Sequence, residues 1–231
     1  MLSIQNLTAG YDKGQVLQGV SLDVGRGEIL ALLGRNGSGR STLAKAIMGL
    51  VPAQGRIEWR GQNLVGKKTF EIARLGLGYV PESRDVFPEL TVEQNLMLGT
   101  KNLHKAGRWA LTDLFGLFPQ LEKRLGVRAG VLSGGEQQML TLCRTLMGDP
   151  DLIVIDEPTE GLAPQLLEQV GAFLKTLRLH GVSVLLMEQK LTLALSISDR
   201  CAVLGHGRVV YVGAPEDLLR QQAVCREWLA A

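Results

Sequence analysis

The sequence is short of several features that would each have pointed to a function. Its three cysteines, Cys143, Cys201 and Cys225, are widely spaced and odd in number, which fits neither a disulfide framework nor a zinc pattern. They read as buried thiols of a reducing compartment. The three histidines, His104, His180 and His206, have no partners at metal-ligand spacing and read as surface residues. Aromatic residues make up only 5%, and 25 basic against 23 acidic side chains leave a net charge of +2. A balanced chain of this kind gives no reason to expect a general nucleic-acid binder. No apolar run approaches the ~20 residues of a membrane span, and the opening MLSIQNLTAG lacks the basic start and apolar core of a signal peptide. Repeats, low-complexity tracts and linker-like stretches are absent as well. The expectation is a cytosolic chain, and any membrane role must be borrowed from partners.

What is present is an ordinary globular composition, 45% hydrophobic and 21% charged, in a chain long enough to bury a sizeable core. Glycine is plentiful, 28 residues against 8 prolines, so backbone-demanding loops are expected. Short apolar runs alternate with helical patterns, the rhythm of an α/β protein with a largely parallel sheet. Ile29–Leu33, Leu152–Ile155 and Val182–Met187 are continuously apolar, as strands covered on both faces should be. The first sixty or so residues instead alternate apolar with polar, in VLQGVSLDV and GRIEWRG, and predict an antiparallel β layer. From about Thr91 to Met147 the pattern is mostly helical and reads as an insertion. Trp109, Phe115 and Phe118 in that stretch either pack internally or line a groove for a partner helix. Near the end, CAVLGHGRVVYVG predicts a hairpin turning at Gly205–Gly207, and PEDLLRQQAVCREWL a closing helix.

Gly34-Arg35-Asn36-Gly37-Ser38-Gly39-Arg40-Ser41 follows the strand ILALL and precedes the amphipathic TLAKAIMGL. Strand, glycine-rich loop and helix together form an anion nest, in which main-chain N–H groups and a helix N-terminus face a phosphate. Ser41 is placed to offer a hydroxyl to Mg²⁺ and Thr42 to touch phosphate. The phosphate-binding pattern has lysine where this chain has Arg40, a planar fork in place of a point charge. The plain alternative is a glycine-rich turn that binds nothing.

Two further segments carry chemistry. In Leu132-Ser133-Gly134-Gly135-Glu136-Gln137-Gln138, Ser133 and Glu136 stand at capping-box spacing. Capping leaves the two glycines unexplained; they weaken a helix but leave N–H groups open to an anion. LIVIDEP ends an apolar strand in Asp156-Glu157, an acidic pair at the carboxyl end of a parallel strand, where such sheets place ligands. Asp156 can hold Mg²⁺ through water, and Glu157 can polarise an attacking water. A solvated acidic turn is the alternative.

In this order the segments resemble the ATP-binding subunits of ABC transporters, over essentially the whole chain, with LSGGEQQ matching the family signature. The resemblance implies one ABC domain over residues 1–231, a P-loop NTPase fold of the α/β class with a mostly parallel core sheet, an N-terminal antiparallel β layer and a helical subdomain at about 91–147. It implies ATP and Mg²⁺, and a head-to-tail pair in which each ATP lies between one phosphate loop and the other subunit's Ser133, Gly134, Gly135 and Glu136. Tyr11 matches the aromatic that stacks on adenine, and Glu160–Pro164 the D-loop. Glu82 in YVPESRDVF stands where most members have glutamine, touching Mg²⁺ and water, and Gln189 in LLMEQK where most have the histidine that senses the γ-phosphate. Glutamine donates a hydrogen bond but carries no charge. PES before an aromatic and EQ in place of EH resemble the branched-chain amino-acid importers and the related urea-importer ATPase. The partners implied are transmembrane permease subunits, a second ATPase subunit, the same or different, and indirectly a periplasmic solute-binding protein, with the chain on the inner face of the cell membrane. A weakly hydrolysing partner subunit and a non-transport ABC ATPase are the other readings.

Overall fold

The computed structural model describes residues 1–12, 14–101 and 107–229. In chain order its first elements are β1 (Leu2–Tyr11), β2 (Gly14–Val24), β3 (Ile29–Leu33), α1 (Arg40–Ile47), β4 (Ala53–Trp59), β5 (Gln62–Asn63), α2 (Thr69–Arg74) and β6 (Leu77–Val80). Helices follow: α3 (Val92–Leu98), α4 (Leu111–Leu117), α5 (Pro119–Glu122) and α6 (Gly134–Met147). The chain then runs through β7 (Leu152–Asp156), α7 (Pro164–Leu179), β8 (Ser183–Glu188), α8 (Leu191–Ile197), β9 (Arg200–Gly205), β10 (Arg208–Gly213) and α9 (Pro215–Arg220).

Two sheets result. The N-terminal one is antiparallel, ordered β2-β1-β4-β5. Alternation puts Leu2 and Ile4, then Leu7 and Ala9, of β1 into the core, as period-two patterning requires, and a register shift between Ile4 and Leu7 leaves both Gln5 and Asn6 facing out. The second has the order β10-β9-β3-β8-β7-β6. Its inner strands run parallel, and β10 returns antiparallel to β9 through the turn at His206-Gly207. Every residue of β3, β7 and β8 is buried, which is why these runs are apolar without alternation. In register, Leu33 lies opposite Glu188, Asp156 opposite Met187 and Val80 opposite Ile155, so the carboxyl ends of four neighbouring strands line up.

The helical stretch shares one hydrophobic cluster with the sheet. Phe118 is fully buried with its ring centroid 5.5 Å from that of Phe173, Trp109 is buried beside His180, and Phe115 packs on the same cluster. All three therefore pack internally. His180 and His206 are exposed, and His104 lies outside the described residues. Cys143, Cys201 and Cys225 are free thiols, the first two buried, and burial pushes Cys201 up to about 11. No helix among the described residues is long and apolar enough to cross a membrane.

The closing helix is not continuous. It stops at Arg220, bends at Gln221, and resumes as a short turn at Gln222–Val224 and a π-helical turn at Cys225–Leu229. An unbroken helix would turn Val224 and Trp228 away from the face of Leu218; the bend returns them to the cluster over β3 and β9.

One buried polar side chain ties the loop after β6 to α3. Asn95 is inaccessible to solvent; its Oδ1 accepts from Phe87 N at 3.0 Å and its Nδ2 donates to the carbonyls of Phe87 and Thr91, both at 3.0 Å. Asn95→Ala should cost about 2 kcal/mol, because main-chain groups at Phe87 and Thr91 lose buried partners. Urea unfolding measures it; a loss under about 0.5 kcal/mol would show that the loop finds other partners.

Candidate functional site

The site begins where β3 gives way to α1. Gly34 has no room for a side chain, since a Cβ there would lie 2.5 Å from the Leu204 carbonyl oxygen and 2.7 Å from Ser38 Oγ. Gly39, with φ of 108°, stands in the left-handed region just before α1, a conformation that glycine adopts at little cost. The rear of the loop is held by the β9–β10 turn: Gly207 N donates to the Ser38 carbonyl at 2.9 Å and the Gly207 carbonyl accepts from Gln18 N at 2.8 Å. The result is a cleft of about 400 Å³ bordered by Asn36, Gly37, Ser38, Gly39, Arg40, Ser41 and Thr42, and on the far side by Glu82, Glu157 and Glu160.

Arg40 is 4% exposed and its Nη2 donates to Glu157 Oε1 across the cleft. Its other terminal nitrogen, Nη1, is buried without a partner, as are Ser38 Oγ and Asp156 Oδ1. Unpartnered buried polar atoms are uncommon and call for an explanation such as a bound group or water. Asp156 ends β7, 1% exposed. Burial pushes its carboxyl above the usual range and Glu82 adds to this, against the pull of Ser41, Arg40 and Lys45. Burial likewise raises Glu157; Arg40 opposes it, and Glu188, Glu160 and Asp156 reinforce it. Glu157 has a φ of 46°, strained for a residue with a side chain, and is held by its N–H to the Met187 carbonyl at 3.0 Å.

No cluster of three or more His, Cys, Asp or Glu suited to a metal exists among the described residues. Mg²⁺ is usually held by one or two protein oxygens together with substrate phosphates and water. Ser41 and the orphaned Asp156 Oδ1 are the donors present.

The remaining sequence candidates lie elsewhere. Tyr11, 49% exposed, borders a separate cleft of about 370 Å³ with Gln15 and Gln54 at the β1–β2 turn. Gln189 is exposed just past β8 and does not border the phosphate cleft. Nor do Ser133, Gly134, Gly135 and Glu136, at the start of α6. There Ser133 N and Oγ both donate to Glu136 Oε2 at 2.8 Å, and Ser133 Oγ accepts from Glu136 N at 3.3 Å. Packing accounts for part of the glycine pair: a Cβ on Gly135 would fall 2.2 Å from Leu166 Cδ1, and one on Gly134 would fall 2.5 Å from Arg84 Nη1.

Two residues escaped the sequence reading. Arg84 follows the YVP strand, reaches the Glu160 carbonyl at 3.4 Å and lies against Gly134 and Gly161, so one guanidinium joins three motif segments. Glu188, the last residue of β8, is 1% exposed. A lone acid closing the buried run LLME was the available signal.

A parallel sheet with a phosphate-type glycine loop after one strand and paired acids ending another defines a P-loop nucleotide-binding ATPase. The family model described as ABC transporter matches residues 17–160. The chain is 43% identical over 212 residues to the high-affinity branched-chain amino acid transport ATP-binding protein BraG of Pseudomonas aeruginosa, covering 91% of each. It is 34% identical to the probable branched-chain amino acid transport ATP-binding protein LivF of Archaeoglobus fulgidus, over 96% of this chain and 95% of that one. Among solved structures, an ATP-binding subunit of an ABC transporter superposes with a TM-score of 0.84 at 30% identity, covering 97% of this chain and 94% of that chain. The ADP conformation of another such cassette gives 0.83 at 26%, covering 98% and 97%. The chain belongs to the ATP-binding subunits of ABC transporters. Proteins of this family are ATPases that dimerise and work with transmembrane permease subunits.

Proposed function

We propose that the chain energises an importer of branched-chain or related amino acids by hydrolysing MgATP at the Gly34–Thr42 loop. The observation that carries the chemistry is the cleft in which that loop faces Glu157, with the unpartnered Arg40 Nη1 and Asp156 Oδ1 beside it. The likeness to BraG supports the solute class.

In this reading the main-chain N–H groups of Gly37, Gly39, Arg40 and Ser41 and the start of α1 hold the phosphates, with Asn36, Ser38 and Thr42 at the rim and Tyr11 against adenine. Ser41 and Asp156 would hold Mg²⁺, with Glu82 beside them, and the ion would supply charge neutralisation for the phosphates. Arg40 leaves Glu157 for the γ-phosphate oxygens, a bidentate acceptor that suits its fork. Glu157, thereby released, takes a proton from the attacking water. Gln189 donates to the γ-phosphate, and Ser133, Gly134, Gly135 and Glu136 close the same site from a second ATPase subunit. The permeases hold the chain at the inner face of the cell membrane. The exposed Phe87, Met97 and Leu98 around α3 offer the apolar surface for a helix of the membrane subunit.

Arg40→Ala should raise the Kd for MgATP about tenfold, the loss expected of a charge-assisted hydrogen bond. Titration calorimetry reads it directly, and an unchanged Kd would mean that Arg40 never leaves Glu157. For the solute, the reconstituted complex should take up leucine, isoleucine or valine only with ATP; ATP-driven uptake of none of them overturns the solute reading.

A further inference from the structure

Glu188 does a job that none of the motifs assigns to it. Among the described residues, Asp156 and Glu188 are the two buried carboxylates, on the neighbouring strands β7 and β8. Asp156 lies behind the cleft against Ser41, whereas Glu188 turns its charge inward to Thr159 and the chain's own backbone. Its Oε2 accepts the Thr159 hydroxyl at 2.7 Å. Its Oε1 accepts two main-chain N–H groups, from Gln189 at 2.8 Å and Lys190 at 2.9 Å. Lys190 Nζ then returns to the Thr159 carbonyl at 2.9 Å. Thr159 is itself fully buried, in the turn where Glu160 N reaches back to the Glu157 carbonyl at 3.3 Å. The ring therefore closes over two chain segments that meet only at the ends of β7 and β8.

Leu33 opposite in β3 and Met187 before it are apolar, while Glu157, just past the end of β7, is close enough to feel the Glu188 charge. An apolar residue would satisfy packing there, and burying a carboxylate carries a desolvation cost. What the carboxylate adds is geometry: three donors converge on it, two of them main-chain groups whose direction fixes how the chain leaves β8. We propose that Glu188 is a positioning residue for hydrolysis, locking the main chain of Gln189 to the Thr159 turn. The γ-phosphate sensor and the segment carrying Glu157 and Glu160 then keep one fixed separation. This rests on the ATP site proposed above.

Three variants of the full chain test it: Thr159→Val, which keeps shape and loses the hydroxyl; Glu188→Leu, which loses the clamp; and Glu188→Gln, which keeps the acceptor for both N–H groups and turns its amide to Thr159. Thr159→Val and Glu188→Leu should each lower kcat about tenfold with KM for MgATP nearly unchanged, as for a misplaced group in the transition state. Glu188→Gln should keep kcat within about threefold of wild type, since its geometry survives. If Glu188→Leu fails to fold, Thr159→Val and Glu188→Gln decide the matter. Unchanged kcat in Thr159→Val, a loss confined to KM, or Glu188→Gln falling as far as Glu188→Leu would each overturn the proposal. MgATP titration of the same proteins separates the two claims. Wild-type protein that binds no nucleotide overturns the site reading and this with it, while intact binding with unaffected turnover in the variants overturns this one alone.

Discussion

Glu157→Gln should lower steady-state ATP hydrolysis by the purified chain about a thousandfold, within the span for loss of a general base. Glutamine matches glutamate in shape but accepts no proton. The same change should leave MgATP affinity undiminished. Glu157 holds Arg40 in a nearly buried ion pair, which incoming phosphate must separate, and a neutral side chain holds the guanidinium less tightly. Measuring kcat and Kd on one preparation gives both numbers. A kcat within about tenfold of wild type would mean that water is activated without this carboxylate.

Gly135→Val should cost about a hundredfold in turnover, because it disturbs donors aimed at charge developing in the transition state. A Cβ at Gly135 has no space beside Leu166, so either the Leu166 side chain or the first turn of α6 must shift. The sharper result comes from mixing this variant with Glu157→Gln. If each ATP is closed by the partner's signature, a mixed symmetric dimer collects both defects in one site and leaves the other intact. A one-to-one mixture should then regain about a quarter of the wild-type sites. No recovery would mean that each chain completes its own site or that the two sites fire only together. In a complex with a different ATPase subunit the two variants damage different sites. Gly135→Val should then be the more harmful, since the site it closes is the partner's, while this chain's own site works with Arg40 and Gln189.

Much of this is legible in the sequence. The runs ILALL, LIVI and VSVLLM are fully buried strands because continuous apolarity has few other outcomes at that length, and Ser133 with Glu136 caps α6 as its spacing predicts. Sequence could not show that Arg40 and Glu157, 117 positions apart, meet across the cleft, since strand order decides that and no local pattern encodes it. Arg84 and Glu188 escaped for a related reason. Each works by reaching main-chain groups, and main chain carries no sequence signal. The broken closing helix follows from the same limit, as the bend at Gln221 serves the sheet beneath it and not the local pattern.

The aligned carboxyl ends of β3, β8, β7 and β6 set a rule about which changes of length the protein tolerates. The chemical groups hang from four adjacent strands whose pairing fixes Leu33 beside Glu188 and Asp156 beside Met187. Deleting one residue inside any of these strands would draw its terminal group back by about 3.3 Å and turn it to the opposite face. Extra residues in the turn after α2 change no strand's count. Length variation among functional variants of this chain should therefore gather in its connections and spare the interiors of those four strands.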